Sequence, residues 1–177
     1  MTLQDRINDT LRDIPDYPKK GIIFKDLSTL LLDPKLTNDI VDDIVNSLPS
    51  KPDAIAAIES RGFWFGPLIA NKLKIPFIPL RKKGKLPGET DSINYDLEYG
   101  NATIEVHKGH VKKGWKIMVH DDLLATGGTV IAASTLLKKQ GAIIHSYTFV
   151  VNLNFLGGND LINKFNTYNH STINFSK

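Results

Sequence analysis

The chain has 177 residues, a net charge of +3, ordinary hydrophobic (41%) and charged (23%) fractions, and no cysteine. These values are typical of one soluble globular domain and exclude disulfides and thiolate chemistry. The N-terminus lacks the pattern of a signal peptide, and no apolar run is long enough to span a membrane. We therefore expect a cytoplasmic protein with no membrane partner, and the small basic excess does not by itself indicate nucleic acid.

The first third of the chain predicts two helices and one strand. Apolar residues every four positions in 3–11 predict a short amphipathic helix, and turn-forming residues follow at 16–21. A short apolar segment at 22–24 lies in a region typical of loops. An apolar stripe in 36–48, opened after Asp-Pro and ended by Pro, predicts the second helix. The run Ala54–Ile58 is typical of a buried parallel strand.

The middle of the chain predicts a helix, a strand and a hairpin. We expect the helix at 66–73 and the strand at 75–80, whose two prolines favour either an irregular strand or a position near an edge. The basic, Gly/Pro-containing stretch 81–90 is typical of a mobile loop. Segments 95–99 and 103–107 flank Gly-Asn and predict a hairpin.

The last third predicts strand, helix and strand at 115–120, 129–140 and 143–151, with Gly141 following the helix. The tail from 163 is rich in Asn, Ser and Thr and is expected to be partly loose. The alternation of strands and helices favours an α/β fold with a mostly parallel central sheet flanked by helices. In such sheets the ligand site lies beyond the carboxyl ends of the strands.

One segment carries most of the functional information. A mostly apolar strand is followed by two carboxylates and then by small or hydroxylated residues that lead into a helix: Asp121, Asp122, Ala125, Thr126, Gly127, Gly128 and Thr129. Adjacent carboxylates can accept hydrogen bonds from neighbouring sugar hydroxyls. A small-residue turn at a helix N-terminus can surround a phosphate with backbone N–H groups. This pattern predicts a site for a phosphorylated sugar.

This segment resembles the phosphoribosyl pyrophosphate (PRPP) motif of type I phosphoribosyltransferases, in which the acids bind the ribose hydroxyls and the turn binds the 5′-phosphate. Four other segments, in the same order and at similar spacing, resemble the adenine phosphoribosyltransferases: 24–28, 59–63, 81–88 and 97–100. The resemblance runs from about residue 14 to about residue 156. It implies the type I phosphoribosyltransferase fold as a single domain over 1–177, with a small N-terminal hood (about 1–33) and a mobile catalytic hairpin loop (about 81–100).

The resemblance also implies a reaction. Adenine and PRPP would give AMP and pyrophosphate, as in purine salvage and AMP biosynthesis. Mg²⁺ would be carried by PRPP rather than by direct protein ligands, and the chain would form a homodimer without a nucleic-acid partner. For the base, the resemblance implies that Phe24 and Leu124 stack on the two faces of adenine while the backbone around Ile23 and Lys25 reads its edge.

Further roles follow from the same resemblance. Glu98, Tyr99 and Arg61 are the expected catalytic residues, with Glu98 in acid/base work on the purine and Tyr99 as a positioning hydroxyl. The expected pyrophosphate ligands are Ser60, Arg61, Arg81, Lys82 and Lys85. A non-proline cis peptide is expected between Ser60 and Arg61.

Some alternatives stay open at this point. His120 replaces an apolar residue of the motif and either packs in the core or shifts the protonation of the neighbouring acids. Lys25 stands where many family members have Arg, and a lysine lacks the planar guanidinium fork. His107 and His110 are expected in a solvated turn rather than in a metal site. The rival functions are a xanthine or hypoxanthine phosphoribosyltransferase, and a PRPP-binding regulator without turnover.

Overall fold

The computed structural model describes residues 1–97 and 100–176. Its helices are α1 Leu3–Thr10, α2 Pro34–Ser47, α3 Gly62–Leu73, α4 Gly128–Lys139 and α5 Gly158–Asn163. Its strands are β1 Arg12–Pro15, β2 Ile23–Asp26, β3 Ala54–Ile58, β4 Phe77–Lys82, β5 Thr90–Leu97, β6 Gly100–His107, β7 Lys116–Leu124, β8 Ile143–Leu153 and β9 Tyr168–Phe175.

In the described part of the chain, seven strands form one sheet in the order β5-β6-β4-β3-β7-β8-β9. The five strands from β4 to β9 in this order pair in parallel, whereas β6 is antiparallel to both β4 and β5. Strands β1 and β2 form a separate antiparallel pair. The mostly parallel sheet confirms the predicted α/β class. The predicted hairpin is present as the β5–β6 pair, but its bounds were wrong, because Gly100 and Asn101, expected between the strands, belong to β6.

Two hydrophobic clusters hold helices on the two faces of the sheet. On one face, α4 and the α5 residue Ile162 pack against sheet residues such as Val119 and Phe149. On the other face, α1, α2 and α3 pack against residues that include Ile55, Met118 and Val150. The strand β3 is buried along its whole length, as expected for a strand covered on both faces.

Two segments expected to be irregular are ordered strands, and those predictions were wrong. The loop-like segment 22–24 leads into β2, which pairs with β1 and places Phe24 opposite Ile14. The C-terminal tail contributes β9, which pairs in parallel with β8 and buries Thr172 and Ile173. Side-chain polarity misled here, because an edge strand needs only one apolar face to pack.

The prolines of β4 did not exclude an interior position. β4 lies between β3 and β6 rather than near an edge. The N–H groups of Ile55 and Glu59 in and after β3 donate to the carbonyls of Pro76 and Leu80. By alternation, the nitrogen of Pro79 faces away from β3, and β6 pairs with β4 only from Arg81 onward. No ladder hydrogen bond is therefore lost at Pro79.

Helix α3 begins at Gly62, four residues before the predicted start, and contains Pro67. Phe65 before the proline is fully buried against the sheet, which favours continuation of the helix through this apolar stretch. Among residues 1–97 and 100–176, we find no helix with the length and apolarity required to cross a membrane.

Candidate active site

The site forms where β7 runs on beyond its neighbour β3. Pairing between these strands stops at Ala57 and His120, whereas β7 continues beside β8 as far as Leu124. The predicted strand ended at His120, so the observed strand includes both acids. Residues 121–124 are held by β8 on one side only. Their other side faces the space above the end of β3.

A cavity of about 760 Å³ opens at this end of the sheet. Four groups of residues line it: the end of β3 and the following turn, the end of β4, the β5–β6 hairpin, and the segment after His120. They include Glu59, Ser60, Arg61, Lys82, Lys83, Tyr95, Asn101, Thr103, Asp121, Asp122, Leu123, Ala125 and Thr129. The structure thus brings the predicted acids together with Ser60, Arg61 and Lys82.

Asp121 and Asp122 form a pair of carboxylates, of which Asp122 is buried and Asp121 is half-buried. The backbone N–H of Asp122 donates to Oδ1 of Asp121 at 2.9 Å, and Arg61 Nε lies 3.0 Å from Oδ2 of Asp122. Burial raises the pKa of both carboxyls, and the charge of Asp122 raises the pKa of Asp121 further. Arg61 opposes the rise at Asp122. Hydrogen-bond donors of a bound diol would stabilise the ionised forms.

Gly62 allows α3 to approach this acidic pair. A Cβ at Gly62 would lie 3.1 Å from Oδ1 of Asp121 and 3.2 Å from the carbonyl oxygen of His120. Any side chain here would therefore crowd the end of β7. The close approach also brings Arg61, at the N-cap of α3, to its position beside Asp122.

The phosphate–ribose cup, residues 121–129, contains a second, smaller cavity of about 80 Å³. Asp121, Leu123, Ala125 and Thr129 line both cavities, so the two adjoin. Gly127 is the N-cap of α4 in the left-handed region, with φ of 83°. The first N–H groups of α4 have no partner within the helix, and the helix dipole favours an anion at this end. A phosphate ester matches this chemistry.

On the other side of Arg61 lies the aromatic pair Phe24 and Tyr17. The Arg61 guanidinium carbon is 5.3 Å from the centroid of the Phe24 ring, and Tyr17 meets the same ring edge-on with centroids 5.2 Å apart. Phe24 is half-buried, and it follows that its ring is available to a planar ligand near Arg61. Arg61 thus connects the acidic pair to an aromatic surface.

Residues 81–85, which we call the basic turn, contain four basic side chains and Gly84. Two carboxylates accept hydrogen bonds from this segment. Glu59 Oε2 accepts from Arg81 Nε at 2.6 Å and from the backbone N–H of Lys82 at 3.3 Å. Glu105, which is 7% exposed, accepts from the N–H of Gly84 at 3.0 Å. Among the described residues that line the larger cavity are Lys82 and the unpredicted Lys83, but not Arg81 or Lys85.

Comparisons with known proteins agree with this geometry. Residues 31–159 match the phosphoribosyl transferase domain family. The adenine phosphoribosyltransferase of Cytophaga hutchinsonii is 51% identical over 174 residues, which cover 98% of this chain and 96% of that protein. The chain belongs to the adenine phosphoribosyltransferase family. The type I phosphoribosyltransferase fold, the family resemblance and the pentosyltransferase class are thereby confirmed.

Solved structures of this family superpose closely. The crystal structure of adenine phosphoribosyltransferase from Thermoanaerobacter pseudethanolicus has a TM-score of 0.92 at 43% identity, covering 98% of this chain and all of that one. The Saccharomyces cerevisiae enzyme, complexed with adenine and an imino-altritol bisphosphate, has a TM-score of 0.90 at 34% identity. That match covers 97% of this chain and 98% of the yeast chain.

The structure separates the two leucines of the family's PRPP motif. Leu124, predicted to stack on the base, is 1% exposed and packs in the core against Val130 and Ile162. Leu123 is half-buried and lines the larger cavity instead. The strand pattern gave a signal for this difference, because neighbouring residues on β7 face opposite sides.

Lys25 lies away from the acidic pair. Its Nζ is 2.7 Å from Oδ1 of Asp13 and 4.5 Å from the centroid of the Phe175 ring. Ile23 is 60% exposed and lines neither cavity. Asp13 is the register partner of Lys25 in the β1–β2 pair, and this strand pairing was not visible in the sequence pattern.

Glu98 and Tyr99 lie outside the described residues. The hairpin that carries them lines the larger cavity on both strands, through Tyr95 on β5 and Asn101 to Ile104 on β6. These hairpin residues were missed in the sequence analysis. Their side chains alternate between apolar and polar like any exposed hairpin, and no local pattern marks them.

His120 is buried in the core. Its Nδ1 lies 3.0 Å from Oγ1 of Thr148, while Nε2 is buried without a hydrogen-bond partner. Burial lowers the pKa of His120 to about 3, so the ring is neutral at physiological pH. The packing interpretation of this family departure is therefore favoured over a charged role.

Two further expectations concern backbone and metal chemistry. The non-proline cis peptide joins Glu59 to Ser60, one bond earlier than predicted from the family. His107 and His110 pack with ring centroids 4.7 Å apart. Within residues 1–97 and 100–176, no three His, Asp or Glu side chains are grouped so as to hold a metal ion.

Proposed function

We propose that this chain transfers the 5-phosphoribosyl group of PRPP to adenine, producing AMP and pyrophosphate. The observation that carries the proposal is that three features adjoin: the carboxylates of Asp121 and Asp122 on the wall of the larger cavity, the smaller recess next to it, and the Phe24 ring beside Arg61. The yeast relative was solved with adenine and a sugar bisphosphate analogue, which supports the same pairing of ligands. Purine salvage is the physiological setting.

The ribose and its 5′-phosphate would bind the phosphate–ribose cup. Asp121 and Asp122 accept hydrogen bonds from the 2′- and 3′-hydroxyls. Residues 125–129 surround the phosphate with N–H groups, and Thr126 and Thr129 add hydroxyl donors. In the free protein Asp122 lies beside Arg61. Burial opposes the ionisation of this carboxyl, and hydrogen bonds donated by a bound diol would favour its ionised form.

The pyrophosphate would lie between the turn after β3 and the basic turn. Ser60, Arg61 and Lys82 line the cavity on that side. Mg²⁺ carried by PRPP would neutralise part of the pyrophosphate charge, while these side chains would hold the rest. Because Arg81 and Lys85 are not among the described residues lining this cavity, we assign them to the site of a second subunit in a homodimer.

Adenine would lie between Phe24 and Leu123. This assignment replaces Leu124 by its neighbour, because Leu123 is the leucine at the cavity wall. The backbone of β2 around Ile23 and Lys25 reads the base edge through its N–H and C=O groups. Adenine offers an amine donor and a ring acceptor, whereas hypoxanthine reverses that pattern, so an oxopurine would leave buried groups unmatched.

The chemistry breaks the bond between the anomeric carbon and pyrophosphate and forms the bond to the purine nitrogen. Positive charge develops on the ribose ring, and water must be kept out because it would hydrolyse PRPP. Glu98 handles the purine proton and Tyr99 positions the reacting groups. Both belong to a hairpin whose flanking residues Tyr95 and Asn101 line the cavity, which supports these roles.

We also propose that residues 1–177 form one domain. The N-terminal hood, about 1–33, shares a hydrophobic cluster with the main body through Ile7, Leu27 and Leu30. The catalytic loop spans about 81–100. The absence of cysteine fits work in the reducing cytoplasm.

A purine panel tests the proposal. The purified chain is mixed with PRPP, Mg²⁺ and adenine, hypoxanthine, xanthine or guanine, and nucleotide and pyrophosphate are measured. We expect the highest kcat/KM with adenine. A higher value with an oxopurine would favour the rival phosphoribosyltransferase, and PRPP binding without pyrophosphate release from any base would favour the regulator.

A further inference from the structure

The segment that follows β8 packs directly against the phosphate–ribose cup. This segment turns at Gly157 and enters α5 at Gly158. Gly127 and Gly158 approach each other so closely that a Cβ on Gly127 would lie 3.2 Å from the carbonyl oxygen of Gly158. The cup therefore contacts a part of the chain that lies beyond the PRPP motif.

Gly158 makes the tightest of these contacts. A Cβ at Gly158 would overlap the carbonyl oxygen of Ala125, and it would lie 3.0 Å from both the carbonyl carbon of Ala125 and Cδ1 of Leu124. Gly158 has helical geometry at the start of α5, so its own backbone does not require glycine. The closeness of Ala125 is what requires it.

The contact has a geometric consequence for phosphate binding. The carbonyl of Ala125 and the N–H of Thr126 belong to one planar peptide group and point in opposite directions in its trans form. Because Gly158 lies against the carbonyl oxygen, the N–H of Thr126 points away from α5. Ala125 and Thr126 both line the smaller cavity of the cup. The contact of Gly158 with the Ala125 carbonyl thus fixes the direction of the Thr126 N–H donor.

We propose that Gly158 is a positioning residue for the 5′-phosphate: it fixes the Ala125–Thr126 peptide plane so that Thr126 donates into the cup. The proposal rests on the proposed function, which assigns residues 125–129 to the phosphate. Gly158 itself touches no substrate. Its contribution passes through the Ala125 carbonyl, and Leu161 supports the same region because its Cδ2 would lie 3.3 Å from a Cβ on Gly127.

The test compares Gly158→Ala with Gly157→Ala by isothermal titration calorimetry. Gly157 is the matched control, since its φ of 74° strains an alanine while a Cβ there has nothing within 4 Å. AMP and adenosine are the two probes, because they differ only in the phosphate. We expect the dissociation constant for AMP to rise about ten-fold in Gly158→Ala, the loss of one hydrogen bond to a charged group.

Adenosine affinity should stay unchanged in Gly158→Ala, and Gly157→Ala should bind both ligands like the wild type. An equal loss for AMP and adenosine, or no loss for AMP, would overturn the positioning role. If Gly158→Ala does not fold, Leu161→Ala replaces it. A weaker AMP affinity with unchanged adenosine affinity in that variant supports the proposal, and an unchanged AMP affinity overturns it. Failure of the wild type to bind AMP would instead contradict the proposed function.

Discussion

The phosphate–ribose cup and the base pocket differ in how the chain builds them. The cup is one continuous stretch, residues 121–129, at the end of β7 and the start of α4. The proposed base pocket combines Phe24 of β2, Arg61 before α3 and Leu123 of β7, of which Arg61 and Leu123 line the larger cavity and Phe24 lies beside Arg61. A ligand group held by backbone N–H groups needs a local turn, whereas a planar base needs surfaces from opposite sides.

This difference separates binding from selectivity. Under the proposed function the cup binds ribose and phosphate, which are common to all PRPP-dependent transferases, so its chemistry can be fixed by a local motif. The pocket must distinguish one base from another, and that depends on how β1 and β2 lie over the sheet. Variants in the two regions should therefore change different kinetic constants.

The largest effect on activity is expected from Glu98, between strands β5 and β6, whose residues line the larger cavity. Glu98→Gln should lower kcat about 100-fold, because an amide cannot take up the purine proton. KM for PRPP should change little. Steady-state kinetics measure both constants, with Asp42→Asn as a control at a surface acid of α2 that is paired with Lys72. A near-normal kcat would remove the acid/base role.

In the cup, Asp122→Asn should raise KM for PRPP about ten-fold, because a carboxylate is a stronger acceptor for a sugar hydroxyl than an amide is. KM for adenine should stay near the wild-type value. Asp42→Asn, which alters an acid paired with Lys72 on the surface, is the control. An unchanged KM for PRPP would argue against the carboxylates as ribose ligands.

In the base pocket, the neighbouring leucines provide a sharper contrast. Leu123→Ala should raise KM for adenine about five-fold through lost apolar contact with the base. Leu124→Ala should instead lower the free energy of unfolding by about 2–5 kcal/mol, since it empties core volume. Denaturant unfolding and adenine kinetics on both variants distinguish the two. The opposite result, a raised KM for adenine in Leu124→Ala and a lowered free energy of unfolding in Leu123→Ala, would assign the base contact to Leu124.

The smallest effect on activity is expected at His120, the residue directly before the cup. Its contribution is to the pH dependence of stability. Its folded pKa of about 3 lies below the unfolded value near 6.5, so the unfolded state binds the extra proton between these limits. Stability from this group is complete above pH 6.5 and falls by about 1.4 kcal/mol per pH unit below it. Urea unfolding at about pH 7.5 and about pH 5.5 should show this loss in the wild type.

His120→Leu should lack that part of the acid destabilisation, because leucine does not titrate. The contributions of all other residues are common to both proteins and cancel in the comparison. An equal loss of unfolding free energy in the wild type and His120→Leu would show that His120 is not buried as a neutral ring.

Much of the fold was predictable because its signals are local. The stripe of α2 and the apolar run of β3 specify their elements by periodicity alone. β9 was missed because the Asn, Ser and Thr residues of the tail hide its strand pattern, and only the pairing with β8 reveals it. Lys25 likewise carries no local sign of its partner Asp13, which became visible only with the β1–β2 register.

The chain by itself determined the chemistry of the cup: adjacent carboxylates, a small-residue turn and a helix start follow one another within nine positions, and the groups proposed to bind ribose phosphate are fixed by that order. Tertiary structure alone decided which leucine faces the cavity, where the ends of β3 and β7 separate, and that Gly158 lies against Ala125. These features depend on packing between distant segments, and side-chain types along one segment carry no record of such distances.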